Sequence, residues 1–110
     1  MFVSENIIEY VSLPYSKQSR CFALRVQGSP VNEIIADGDI ILADMDAEIN
    51  NTDIVVGRLK NGEQLIKHYF QFANGQVIFY SNPNYEPVVC NLLDIEAVYK
   101  VVGLWRSLVR

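Results

Sequence analysis

Residues 53–72 read DIVVGRLKNGEQLIKHYFQF, and this stretch decides the fold. Two runs rich in apolar, β-branched and aromatic residues, 53–59 and 63–72, flank the turn Lys60-Asn61-Gly62. An Asn-Gly pair between two such runs is a strong short-range signal for a β-hairpin. A second hairpin is predicted to follow, turning at Asn74-Gly75 into the next apolar run.

Outward from these hairpins the chain repeats the pattern of short strands and frequent turns. No long stretch carries the 3.6-residue period of a helix. We therefore predict an all-β fold, with hairpins, at most short helical turns and two packed, strongly bent sheets. The further strands are expected at residues 7–13, 21–27, 40–43, 88–89 and 97–104, with a turn of helix at 31–36.

The length of 110 residues fits a single domain. Residues 1–19 are interpreted as an N-terminal arm or linker remnant, because Pro14 and a polar run end any regular element there. Residues 20–110 are expected to form the folded domain. No apolar run approaches the length of a membrane span, and the first residues carry no basic region of a secretory signal.

The net charge is −4, and lysines and arginines form no cluster. Because nucleic-acid binding needs a basic patch, we expect DNA contact only through a domain outside these residues. One histidine and two cysteines without clustered spacing predict no metal site, and no cofactor is expected. Asp37-Gly38-Asp39 lacks the further oxygen ligands of a calcium loop, so it is interpreted as a turn.

One serine lies where a predicted strand gives way to a turn. Ser29 follows Gly28 and precedes Pro30, and this position can expose its hydroxyl. Pro30 favours an extended conformation at Ser29. Serine is common in turns, so the structural alternative is a hydroxyl that bonds its own backbone.

Lys67 lies on the second predicted strand of the first hairpin, with Leu65 and Tyr69 on its face and His68 on the other. A free lysine has a pKa of about 10.4, and desolvation is one way to favour the neutral amine that a general base requires. Lys100, also among apolar residues, is the rival base. The structural alternative for Lys67 is a strand lysine pointing to solvent. His68 is a weaker candidate, since adjacent strand residues cannot both reach one serine.

Five blocks of sequence, in order, resemble the LexA-type self-cleaving domain, the family of the SOS repressor LexA, the mutagenesis protein UmuD and many phage repressors. The resemblance covers roughly residues 20 to 106. The blocks are Phe22 to Ser29, Asp37 to Leu42, Asp53 to Leu59, Leu65 to Lys67, and Asn82 to Pro87.

The resemblance implies a Ser–Lys peptidase with Ser29 as nucleophile and Lys67 as general base. It also implies an oxyanion site at the backbone N–H groups of Gly28 and Ser29. The activity it implies is self-cleavage within a cytoplasmic repressor, stimulated by a RecA–single-stranded DNA filament in the DNA-damage response. A homodimer is expected through the apolar strand near the C-terminus, residues 98–105.

Three features depart from the family pattern. Pro30 stands where the family usually has methionine, and Gly28 directly precedes Ser29 where the family tends to place one residue between glycine and serine. Residues 1–28 contain neither the Ala-Gly nor the Cys-Gly bond that the family typically cleaves. A second hypothesis is therefore a non-catalytic dimerisation module of a transcription regulator. A signal-peptidase relative, which shares the Ser–Lys chemistry, is a third hypothesis.

Overall fold

Eight β-strands make up most of this computed structural model, which describes residues 7–11, 20–28, 34–81 and 86–106. A single 3₁₀ turn, Leu92–Asp94, is the one helical element among them. The all-β prediction is therefore confirmed. The strands are β1 Ile7–Val11, β2 Cys21–Arg25, β3 Ile40–Asp44, β4 Ile54–Leu59, β5 Gln64–Gln71, β6 Gln76–Tyr80, β7 Val88–Asn91 and β8 Ile95–Trp105.

All eight strands belong to one hydrogen-bonded sheet in the order β1-β2-β3-β8-β4-β5-β6-β7. Every neighbouring pair is antiparallel. β8 joins the β1–β3 half to the β4–β7 half, because it pairs with β3 on one side and with β4 on the other. The prediction of two sheets is therefore corrected to one continuous sheet.

Both predicted hairpins form. Lys60-Asn61-Gly62 connects β4 to β5, and Ala73-Asn74-Gly75 connects β5 to β6. Gly62 and Gly75 have φ of 95° and 87°. This left-handed conformation suits glycine, and a three-residue hairpin loop commonly ends on it.

The sheet buries apolar side chains on both faces, which explains why its central strands read as apolar runs without alternation. On β4, Val56 belongs to one core cluster and Val55 to another. On β5, Ile66 and Leu65 divide in the same way. Since successive strand residues point to opposite faces, the two cores lie on opposite sides of the sheet.

The N-terminal residues are only partly described. β1 pairs with β2, so the predicted strand at 7–13 is observed at Ile7–Val11, and residues 12 and 13 lie outside the described residues. Half of the predicted helical turn at 31–36, residues 31–33, lies outside the described residues, and residues 34–36 are not helical. The division into an arm at 1–19 and a domain at 20–110 stays a prediction. In the part of the chain that the structure describes, no helix has the length and apolar character needed to cross a membrane.

Candidate active site

Ser29 and Pro30 lie outside the described residues, but the chain leading to them is fixed. Backbone hydrogen bonds join Val26 N to Asp39 O and Gly38 N to Val26 O, each at 2.8 Å. Gly28, with φ of 77°, donates its N–H to Asp37 Oδ1 at 2.8 Å. The segment entering Ser29 is thus held by the turn at residues 37–39, which the sequence predicted.

This arrangement bears on the predicted oxyanion donors. The Gly28 N–H already has a carboxylate acceptor, so it would have to leave Asp37 to serve an oxyanion. The Ser29 N–H lies outside the described residues. Both donor assignments stay predictions.

Lys67 lies in the middle of β5 and is only 8% exposed. Its two neighbours on the same strand face, Leu65 and Tyr69, both belong to the second core cluster. Val55, directly opposite on β4, belongs to that cluster as well. The predicted apolar setting of Lys67 is therefore observed, and a strand lysine pointing to solvent is excluded.

The Lys67 amine has a described hydroxyl partner. Its Nζ donates a hydrogen bond to Ser81 Oγ at 2.6 Å. Ser81 follows the last residue of β6, and the sequence analysis did not single it out. The hairpin register could have identified it. The Phe72 N–H donates to Gln76 O and closes the hairpin loop. Lys67 lies five residues before Phe72, and Ser81 lies five residues after Gln76, so the two residues face each other across the hairpin.

His68 lies away from this amine. Its Nδ1 is 2.9 Å from the backbone oxygen of Thr52, and its ring stacks on Tyr80 with centroids 5.2 Å apart. The expectation that His68 and Lys67 occupy opposite faces agrees with these contacts. His68 is thereby engaged in packing rather than directed at the base.

Lys100, the rival base, is ion-paired. Its Nζ lies 3.5 Å from Asp53 Oδ2, and both side chains are partly buried. The Lys100 amine is thus engaged by the Asp53 carboxylate. This contact favours Lys67 over Lys100.

An ion pair between buried Asp39 and half-exposed Arg106 fixes the turn that holds Gly28. Arg106 donates Nε to Asp39 Oδ1 at 2.7 Å and a terminal nitrogen to Oδ2 at 2.6 Å. Asp39 is 2% exposed and also accepts the Ala36 N–H at 2.8 Å. The hydrogen bonds from Arg106 lower the pKa of Asp39 below its ordinary value of 3.8. The end of β8 is thus tied to the β2–β3 connection.

The described residues contain no group of three or more metal-ligating side chains. Burial raises the pKa of Tyr69 above its ordinary value of 10.0, so this phenol beside Lys67 stays neutral at physiological pH. Its hydroxyl donates to Gln71 Oε1 at 2.9 Å. The described residues around Lys67 include apolar groups, a phenol and a serine hydroxyl.

Comparison with known proteins gives one family. Residues 1–102 match the model of the Peptidase S24-like family. The chain is 33% identical over 108 residues to LexA repressor 1 of Geobacter sulfurreducens, covering 94% of this chain and 53% of the relative. It is 32% identical over 109 residues to the LexA repressor of Clostridioides difficile, covering 96% and 52%. The corresponding values for the LexA repressor of Clostridium kluyveri are 35% over 107 residues, 94% and 52%.

The chain spans about half the length of these curated relatives. The predicted resemblance to a LexA-like domain is confirmed by the family match and by these identities.

Proposed function

Because this chain belongs to the Peptidase S24-like family, we propose that it is the self-cleaving serine peptidase and dimerisation domain of a LexA-like repressor. The observation that carries the proposal is the buried Lys67 amine on a rigid strand, hydrogen-bonded to a neutral hydroxyl. A lysine in such a setting is suited to act as a general base.

In the proposed reaction, Ser29 Oγ attacks the carbonyl carbon of a peptide bond while Lys67 Nζ takes the hydroxyl proton. The tetrahedral intermediate collapses, the C–N bond breaks, and Lys67 returns the proton to the leaving amine. Water then hydrolyses the acyl-enzyme by the same proton route. The substrate is a segment of the repressor itself, upstream of Ser29.

The first test measures whether Ser29 is activated. A fluorophosphonate probe reacts with an activated serine by forming a P–O bond and releasing fluoride, while the base takes the proton. We expect the wild-type chain to be labelled at Ser29, identified by peptide mass spectrometry, and the rate to rise with pH as a lysine base requires. Ser29→Ala should abolish labelling. A wild-type protein that is never labelled at Ser29 would refute the peptidase proposal.

Self-cleavage is tested in the natural full-length protein. Adding RecA assembled on single-stranded DNA is expected to accelerate appearance of two fragments, which Ser29→Ala should prevent. Such a repressor works in the cytoplasm, and the net charge of −4 supports the proposal that another domain reads DNA. Equal cleavage rates with and without the RecA filament would contradict the proposal that the filament is a partner.

The dimer proposal is supported by the exposed end of β8. Val102, Leu104 and Trp105 are 39%, 42% and 71% exposed, an unusual concentration of large apolar side chains on one strand end. We expect Leu104→Glu to convert dimers to monomers in sedimentation equilibrium. Leu93→Glu is the control, because Leu93 is 76% exposed but lies in the 3₁₀ turn. Equal dissociation by both variants would contradict an interface on β8.

The alternative function is a dimerisation module without catalysis, which the same exposed strand end favours. It predicts dimers that are insensitive to Ser29→Ala and a wild-type chain that stays unlabelled. Fluorophosphonate labelling and sedimentation of one preparation distinguish the two functions.

A further inference from the structure

We propose that Ser81 is a positioning residue for the general base, and that its hydroxyl orients the Lys67 amine toward the nucleophile. This inference rests on the proposed peptidase function and deepens it. It assigns a role to a side chain that the Ser–Lys pair alone does not include.

The first support is register. The β5–β6 ladder pairs His68 with Tyr80 and Tyr69 with Phe79, so the next position places Ser81 opposite Lys67. Side chains at opposite positions of an antiparallel pair lie on the same face, about 4.5–5.5 Å apart at Cβ. The observed distance of 2.6 Å from Nζ to Oγ is therefore a product of the ladder and not of a flexible loop.

The second support is the chemistry of the contact. A neutral amine has two N–H groups and one lone pair. When one N–H is held by Ser81 Oγ, rotation about the terminal C–N bond is restricted, and the lone pair has a defined direction. A hydroxyl also accepts this bond without adding negative charge. A carboxylate in its place would favour the ammonium form and oppose proton uptake from the serine.

The third support is the charge distribution facing Lys67. Along its row across the sheet, Val55 lies opposite on β4, and Lys100 lies beyond it on β8. Lys100 is compensated by Asp53. Tyr69, on the same face of β5, has a raised pKa and stays neutral. The row continues beyond Lys100 to Asp44 on β3. The described polar contact of the Lys67 amine is the neutral hydroxyl of Ser81.

The test compares three substitutions at one position by the pH dependence of Ser29 labelling with a fluorophosphonate. Ser81→Ala removes the acceptor and should slow labelling roughly ten- to hundredfold, the scale of misplacing a catalytic group. Ser81→Thr keeps the hydroxyl and should restore most of the rate. Ser81→Asp supplies a counter-charge and should move the midpoint of the pH–rate curve upward by about one unit or more.

The shift in the Ser81→Asp curve tests whether position 81 faces the Lys67 amine, and recovery of the rate by Ser81→Thr but not by Ser81→Ala tests the role of the hydroxyl itself. Tyr80→Phe is the matched control, because it deletes a hydroxyl from the neighbouring position on the other face. We expect its rate and pH curve to equal those of the wild type. Thermal unfolding of each variant establishes that it is folded. If Ser81→Ala does not fold, the comparison of Ser81→Thr with Ser81→Asp carries the test.

The outcomes separate the two proposals. A wild-type chain that is never labelled at Ser29 refutes the peptidase function and this inference with it. A labelled wild type whose Ser81→Ala and Ser81→Asp variants keep the wild-type rate and pH midpoint overturns the role of Ser81 alone. Slow Ser81→Ala, restored Ser81→Thr and a shifted Ser81→Asp support it.

Discussion

Asp53 Oδ2 lies 3.5 Å from Lys100 Nζ, and Lys100 lies in the same sheet row as Lys67, whose described partner is the hydroxyl of Ser81. Both lysines sit on strands among apolar residues, so their surroundings in sequence are alike. Their described tertiary partners distinguish them, because Lys100 contacts a carboxylate and Lys67 contacts a hydroxyl.

This difference predicts unequal effects of the same substitution. Lys67→Ala should lower Ser29 labelling by roughly 10²–10⁴-fold, the usual contribution of a general base. Lys100→Ala should leave the labelling rate close to that of the wild type. Fluorophosphonate labelling at pH 8 measures both variants. The assignment of the base would be reversed if Lys100→Ala were the inactive one.

The Arg106–Asp39 pair predicts a pH-dependent stability. Because the folded pKa of Asp39 is lowered, the pair contributes stability above about pH 4, and this contribution is lost as pH falls through the folded pKa. Arg106→Ala should therefore lower Tm by several degrees at pH 7 and by much less near pH 3. Scanning calorimetry at both values measures the difference.

Arg20→Ala is the control for that experiment. The Arg20–Asp46 pair has side chains 69% and 36% exposed, whereas Asp39 is 2% exposed. An exposed pair is screened by water and contributes little. A loss of Tm for Arg20→Ala as large as that for Arg106→Ala would show that burial of Asp39 is not the cause.

Gly57 is predicted to tolerate no side chain. A Cβ at this position would lie 2.8 Å from Phe79 Cε1, and Phe79 is fully buried, so the ring has no room to withdraw. Gly57→Ala should destabilise the fold by about 1–3 kcal/mol, the usual cost of overpacking a core. Urea unfolding measures the change.

Gly103→Ala provides the comparison for Gly57. Its Cβ would lie 3.3 Å from Leu42 Cδ1, the end of a flexible side chain that is only partly buried. Gly103→Ala is therefore expected to lower the free energy of unfolding by less than Gly57→Ala does. If Gly103→Ala were the more harmful change, the contact with Phe79 would not be the determining one.

Thr52 carries backbone strain at the start of β4. Its φ of 76° is a rare value for a β-branched residue. Thr52→Gly should raise stability by about 0.5–1 kcal/mol, since relief of strain exceeds the added freedom of the unfolded chain. Thr52→Ala keeps a Cβ and should gain little. Chemical denaturation of the two variants side by side measures this, and a destabilised Thr52→Gly would contradict it.

Local signals in the sequence were sufficient for the strands and turns. The Asn61-Gly62 and Asn74-Gly75 pairs located two hairpins, and the two-residue period placed Lys67 with Leu65 and Tyr69. The Asn-Gly pairs and the two-residue period both involve residues that are close together in the sequence. The packing of the two faces into separate cores was not predicted, because the strand period shows which residues share a face but not which strands are neighbours in the sheet.

Nonlocal contacts could not be predicted in the same way. Arg106 and Asp39 are separated by 67 positions, and no short-range pattern links them. Ser81 was within reach, since the register of one hairpin places it opposite Lys67, but its single hydroxyl carries no signal by itself. The assignment of Ser29 as nucleophile and of the Gly28 and Ser29 N–H groups as oxyanion donors came from the sequence, and both assignments stay predictions.

The position of β8 has a consequence for synthesis. It is the last described strand along the chain, yet it lies between the half that carries Gly28 and the half that carries Lys67. A nascent polypeptide leaves the ribosome in order, so these halves have no common strand to pair with until residues 95–105 have emerged from the exit tunnel. Any peptidase assembled across them is therefore withheld until translation of the domain is nearly finished.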